Sequence, residues 1–272
     1  MSINKKQKSD STKKKRMTLL DKDMPFAVTE AFKALRTNIM FALSTRNSKI
    51  IAISSALPSE GKSTIAANLA ITFAQTDSKV LFIDADLRKP VAHRTFNLQN
   101  KVGLSTLLGG IDSFREVLNS QVTTGLDVIT SGPIPPNPSE MLGSDNMKVL
   151  LDKLTEFYDY VIIDTPPINI VSDTLNMLPF IAGVALVAKQ GETPKDALQD
   201  AIDAIKFAEG HILGVVLGQM QTLGKTGYKR GYRYSKYSKY SYGYGYSYAE
   251  SAEKVKKKQA KQRAAKSKQE EE

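Results

Sequence analysis

KIIAISSALPSEGKSTIAANLAITF, residues 49–73, carries three signals in succession. KIIAISS (49–55) is a short apolar run rich in isoleucine and reads as a buried strand. From Ser63 onward, Ile65, Leu69 and Phe73 recur on one side of a helix. Between strand and helix stands ALPSEGKST (56–64), in the context a phosphate-binding loop needs. Backbone N–H groups of Ser59, Glu60, Gly61, Lys62, Ser63 and Thr64 are the candidates to cradle phosphate oxygens at the helix start. Lys62 would reach the β- and γ-phosphates, Ser63 would place its hydroxyl on Mg²⁺, and Thr64 would add a phosphate contact. Ala56 stands where the pattern has glycine. Alanine tolerates a positive φ poorly, so ordinary backbone is expected there.

The same alternation continues outward. KVLFID (79–84), LDVITS (126–131), DYVIID (159–164), GVALVA (183–188) and HILGVVLG (211–218) read as further buried strands. Phe32, Leu35, Ile39 and Leu43 mark a helix over about 26–45. Met147, Leu150, Leu151, Leu154 and Phe157 mark another, and Leu198, Ile202 and Ile205 a third over about 194–207. Apolar strands alternating with amphipathic helices predict an α/β fold: a P-loop NTPase-like, mostly parallel sheet with helices on both faces. Such sheets bind ligands at the carboxyl ends of their strands.

Three carboxylates fall at those ends. FIDADLRKP places Asp84 and Asp86 two residues apart, on one side if the strand persists, and VIIDTPP places Asp164. Acidic residues ending apolar strands are costly unless they leave the sheet or meet a cation. Beside a triphosphate site they point to Mg²⁺ ligation, direct or through water. Arg88 either steadies the phosphates or the acidic pair, or is a solvated loop arginine. The two histidines, His93 and His211, join no cluster of metal ligands and read as structural.

At 272 residues with 41% hydrophobic side chains, the chain can bury a sizeable core. There is no cysteine, which excludes disulfides and thiolate metal sites. No secretory signal is evident, and no apolar run approaches a membrane span; the longest, LPFIAGVALVA (178–188), is broken by Pro179 and Gly183. Residues 1–23 hold eight Lys/Arg against three Asp/Glu, net +5; residues 221–272 hold 14 against five, net +9. The segment 24–220 holds 16 against 20, net −4, so a basic nucleic-acid-binding fold is not supported and no specific nucleic acid is expected. The predicted organisation is a disordered basic tail (1–23), a nucleotide-binding domain (24–220) and a Tyr- and Lys-rich tail (221–272). That last tail holds Tyr228, Tyr232, Tyr234, Tyr237, Tyr240, Tyr242, Tyr244, Tyr246 and Tyr248, nine of the chain's 11 tyrosines, set among Gly, Ser and Lys that cannot build a core.

With these motifs in hand, the chain resembles the bacterial protein-tyrosine kinases of capsule and exopolysaccharide synthesis, over about residues 26–220 and the tail. ALPSEGKST matches Walker A, VLFIDADLRKP the second acidic motif and YVIIDTPP Walker B. The resemblance implies an ATP–Mg²⁺ site built from Lys62, Ser63, Asp84, Asp86 and Asp164, all four carboxylate and lysine side chains being catalytic. It implies that Asp84 helps activate the attacking tyrosine while Asp86 serves mainly the metal, and that the clustered tyrosines are autophosphorylated. EAFKALRTNI (30–39) is similar to the family's ExxRxxR assembly motif through Glu30 and Arg36, with Lys33 where the pattern has arginine. The family uses that helix face to form a ring of subunits. The absence of a spanning segment fits its split, Gram-positive form, which is cytoplasmic and held at the inner membrane face by a membrane-anchored activating adaptor. A tyrosine phosphatase is the implied partner that resets the tail.

Two other functions share these features. A partition-type ATPase has the same fold, but carries lysine as the second residue of its loop, where this chain has Leu57. A nucleic-acid-binding ATPase could use the Tyr-rich tail to stack on single strands.

Overall fold

The computed structural model describes residues 24–46 and 48–218, together with Thr18 and Leu20. The rest of the predicted N-terminal tail, and the C-terminal tail with all nine clustered tyrosines, lie outside the described residues.

The strands are β1 (Ile50–Ser55), β2 (Val80–Asp84), β3 (Leu118–Thr123), β4 (Leu126–Ile129), β5 (Tyr160–Asp164), β6 (Gly183–Lys189) and β7 (Ile212–Gly218). They form one sheet in the order β3-β4-β2-β5-β1-β6-β7. Every neighbouring pair is parallel except β3 and β4. The helices are α1 (Phe26–Leu43), α2 (Lys62–Ala74), α3 (Ala92–Thr95), α4 (Leu104–Leu108), α5 (Phe114–Val117), α6 (Pro138–Leu142), α7 (Asp145–Leu154), α8 (Asp173–Asn176) and α9 (Lys195–Phe207).

Period-two alternation sends each central strand's side chains to opposite faces. Ile51 and Ile53 of β1, Phe82 of β2 and Ile162 of β5 pack with α1 and α2. Ile50, Leu81, Ile83, Val161 and Ile163 face the other way, onto α4, α6 and α7. Ala52, Val184 and Leu186 meet Ala201 and Ile205 of α9 on that second face. Because both faces are covered, the strands read as continuous apolar runs. Each fully buried Ile, Leu or Phe is worth about 1.5–3 kcal/mol.

Helix α2 is buried on nearly every side rather than along one stripe, because α1 lies over it. Its alanines at 66, 67, 70 and 74 permit that close approach. Arg36 of α1 donates from Nη1 to the Thr72 carbonyl at 2.7 Å. That carbonyl lies in the last turn of α2, where backbone acceptors lack helical partners.

Three expectations need correction. LNSQVT forms β3, an antiparallel edge strand that its mixed composition did not signal. β7 was expected to be buried, yet it is the opposite edge, with Val215 and Leu217 exposed. α7 stops at Leu154, so Phe157 falls beyond its apolar stripe and is exposed.

Candidate active site

The parallel strands deliver the three acidic motifs and the glycine-rich loop to one edge of the sheet, because β1, β2 and β5 are central neighbours pointing the same way. The loop after β1 reverses through two left-handed residues, Ser59 (φ 68°) and Gly61 (φ 94°). Ala56 is buried with ordinary φ, as its Cβ requires. Gly61 precedes α2 directly, so the first amides of a long helix are presented at the turn.

Glu60 does not reach toward a ligand. One of its carboxylate oxygens accepts the Leu57 amide at 2.9 Å, and the other accepts the hydroxyl of Thr193 from the loop after β6. Ser55 adds a hydroxyl bond to the Leu57 carbonyl at 2.8 Å. The loop's shape is therefore tied down by its own side chains.

Lys62 is the centre of the site. Its Nζ donates to Asp86 Oδ2 at 2.8 Å, to Ser63 Oγ at 3.2 Å and to Asp164 Oδ1 at 3.5 Å. Burial would lower the lysine pKa, but Asp164 and Asp86 outweigh it and hold it above the ordinary value. Burial raises the pKa of Asp164, opposed chiefly by Lys62. The second oxygen of Asp164, Oδ2, is buried without a hydrogen-bond partner.

Asp84 and Asp86 do not share a side, because β2 ends at Asp84 and the chain turns. Asp84 Oδ2 accepts the amides of Val91 and Ala92 at 2.9 and 2.8 Å, and Oδ1 accepts the Asp86 amide at 3.3 Å. Its pKa is pushed up to about 7, by burial first and then by the Asp164 charge, against those amides. Asp86 accepts the Lys89 amide at 2.9 Å on the oxygen that Lys62 does not use. Asp86, Lys62, Ser63 and Thr64 line a cavity of about 810 Å³ at this edge, together with Pro166, Pro167 and residues of the stretch from Arg88 to Arg94.

The four expected metal ligands thus do not converge. Asp86 and Asp164 meet at Lys62 while Asp84 is turned into its own loop; among the described residues no three His, Asp or Glu side chains form a metal cage. The donors that remain suit Mg²⁺ held together with phosphate: a helix-opening serine, one cavity-facing aspartate and the unpartnered Asp164 oxygen.

Arg88 lines the cavity and makes an ion pair the sequence did not suggest. Its Nε and Nη2 fork onto Asp173 at 2.9 Å each, tying the loop after β2 to the start of α8. Ser139 of α6 also donates to Asp173, which is wholly buried. Arg88→Ala is expected to destabilise the domain by about 1–3 kcal/mol, a range reduced because the arginine is 40% exposed. Thermal unfolding of the variant beside Arg88→Lys checks this; the lysine lacks the fork and should recover only part. Asp173, Ser139 and Thr193 carried no sequence signal for these roles. His93, read as structural, lines the cavity, with Nδ1 buried and unpartnered. In α1, Lys33 pairs with Glu30 of its own helix at 2.8 Å, so the three assembly-motif residues do not act alike.

Residues 48–193 match the family model described as AAA domain. The chain is 42% identical over 214 residues to the tyrosine-protein kinase YwqD of Bacillus subtilis (strain 168), covering 79% of this chain and 85% of that one. It is 36% identical to the putative tyrosine-protein kinase CapB of Staphylococcus aureus, covering 71% and 85%. The solved kinase domain of the Escherichia coli tyrosine kinase ETK superposes with a TM-score of 0.73 at 37% identity, covering 84% of this chain and 90% of that one. At these identities and coverages the relatives show that the chain belongs to the bacterial tyrosine-protein kinases of the capsule and exopolysaccharide type.

Proposed function

We propose that the chain transfers the γ-phosphoryl group of ATP to tyrosines of its own C-terminal tail. The observation that carries this reading is Lys62, held between Asp86 and Asp164 at the mouth of a tied-down phosphate loop. The amides of residues 59–64 bind the phosphates, and Lys62 exchanges its carboxylate partners for phosphate oxygens. Ser63, Asp86 and Asp164 are the residues that would hold Mg²⁺, which when bound neutralises charge on the phosphates. The acceptor phenol oxygen forms the new P–O bond as the bond to ADP breaks, and its proton passes to the Asp84–Asp86 pair. Asp84 is the proton acceptor in this scheme, because once Lys62 turns to phosphate Asp86 is left to the metal, while Asp84, with a pKa pushed up to about 7 by burial, is suited to take a proton. Immunoblotting for phosphotyrosine after incubation with ATP and Mg²⁺, with an activating adaptor present, tests the reading; a blank blot would refute it.

The family setting supplies the rest of the proposal: activation by a membrane-anchored adaptor, location at the inner membrane face through it, resetting by a phosphatase and assembly through α1. Among the described residues no helix is long and apolar enough to cross a membrane. In the ring, Glu30, Lys33 and Arg36 face a neighbour. Arg36→Ala should shift the protein toward monomer and also loosen α1 from α2 by about 1 kcal/mol, since the Thr72 carbonyl loses its donor. Lys33→Ala separates the effects: light scattering should change without a change in thermal unfolding.

A further inference from the structure

The cavity has a second chemical character away from the phosphate loop. Lys89, His93 and Arg94 also line it. Lys89 and Arg94 make no ion pair with a carboxylate among the described residues. The acidic residue nearest in the chain, Asp86, is neutralised by Lys62, and the neighbouring Arg88 is spent on Asp173. Arg94 is fixed by one bond, from Nη2 to the Pro90 carbonyl at 3.1 Å, which leaves the rest of its fork free. His93 adds a buried ring nitrogen with no partner. Two cations, Lys89 and Arg94, with the imidazole of His93 between them, whose pKa burial and the Arg94 charge hold below its ordinary value so that it serves as a neutral hydrogen-bonding ring, are an anion site in search of its ligand.

The sequence supplies a ligand of the right charge and spacing. Tyr240, Tyr242, Tyr244, Tyr246 and Tyr248 stand two residues apart. In an extended segment, such residues fall on one side at intervals of about 7 Å. A phosphate on one tyrosine therefore lies a short step from the hydroxyl of the next, within the reach of a cavity of about 810 Å³. Before phosphorylation the segment 237–248 carries one charge, from Lys239, and offers these cations nothing to hold; a single phosphate adds about −1.5 to −2 charges and makes the segment net negative.

We propose that Lys89, His93 and Arg94 form a phosphotyrosine subsite beside the catalytic centre, which holds a tyrosine already phosphorylated while its neighbour is presented to the phosphate loop. The product of one transfer thus becomes the handle for the next. This rests on the tail being the acceptor, so the test is built not to depend on catalysis. A labelled peptide of residues 237–248, with or without a phosphate on Tyr242, is titrated with the full chain kept saturated with ADP and Mg²⁺ so that the phosphate loop is filled. The phosphopeptide should bind about tenfold tighter than the unmodified one, and the Lys89→Ala/Arg94→Ala variant should lose most of that preference. Equal binding of the two peptides, or an unaltered preference in the double variant, would overturn the subsite. A nucleotide affinity that falls in the double variant as far as the phosphopeptide affinity does would assign these residues to nucleotide instead, and overturn it too. A blank phosphotyrosine blot with the preference intact refutes the tail as acceptor alone; a positive blot without the preference refutes the subsite alone.

Discussion

Lys62→Met should abolish tail phosphorylation, a loss of about 10²–10³-fold or more, because the cation held between Asp86 and Asp164 is gone from the charge that develops on the transferred group. Methionine fills nearly the same volume, so the loop can keep its shape through Glu60, Ser55 and Gly61. The cost to stability has a direction set by pH. Without the lysine, buried Asp164 has no cation and its pKa, already raised by burial, climbs further. A carboxyl with a raised folded pKa loses stability as pH rises, so the variant's deficit, about 3 kcal/mol near neutrality, should shrink as the solution is acidified and Asp164 protonates. Phosphotyrosine blotting and melting curves at two pH values check both halves. A variant that still labels its tail would place the catalytic cation elsewhere.

Asp84→Asn should lower the turnover of a saturated enzyme by about a hundredfold or more, while nucleotide affinity stays within a few fold. Asparagine keeps one carbonyl oxygen for the Val91 and Ala92 amides, so the loop that carries Asp86 retains its main anchor. What it cannot do is accept a proton. Asp86→Asn differs: it weakens the partner of Lys62 and one donor offered to the metal, so its defect should appear in nucleotide–Mg²⁺ binding as well as in rate. Steady-state kinetics on a tail-derived peptide, combined with titration of a fluorescent nucleotide, separates the two. If Asp84→Asn keeps full turnover, the residue only holds the loop, as its amide contacts alone would suggest.

The elements that could be read from sequence were those whose packing leaves a periodic mark. β1, β2 and β5 are covered on both faces and show as apolar runs. β7 shows the same run, yet lies at an edge with Val215 and Leu217 exposed and Leu213 and Val216 only partly buried; an apolar run by itself does not report how fully a strand is covered. LNSQVT left no mark because an edge hairpin strand is held by its backbone pairing to β4. Helices α3, α4, α5, α6 and α8, of four or five residues, are too short for a helical period to appear. At the site, Lys62, Asp86 and Asp164 were legible because each closes a motif. The Arg88–Asp173 pair joins residues 85 apart in the chain, and only the fold brings them together. The role of the Glu60 side chain was hidden for a related reason: its place in the motif is a matter of sequence, but its partner Thr193 belongs to a distant loop.

That last contact has a bearing on how the enzyme spends its binding energy. A loop rich in Ser and Gly that had to be ordered by its ligand would charge each nucleotide the conformational entropy of freezing it. Here the ordering is completed when the chain folds, by a carboxylate that closes a short circuit between β1 and β6. The attraction for phosphate can then go toward the reaction rather than toward shaping the receptor. The same economy makes the loop a demanding target for any inhibitor that depends on opening it, since it would have to unmake a buried carboxylate's hydrogen bonds first.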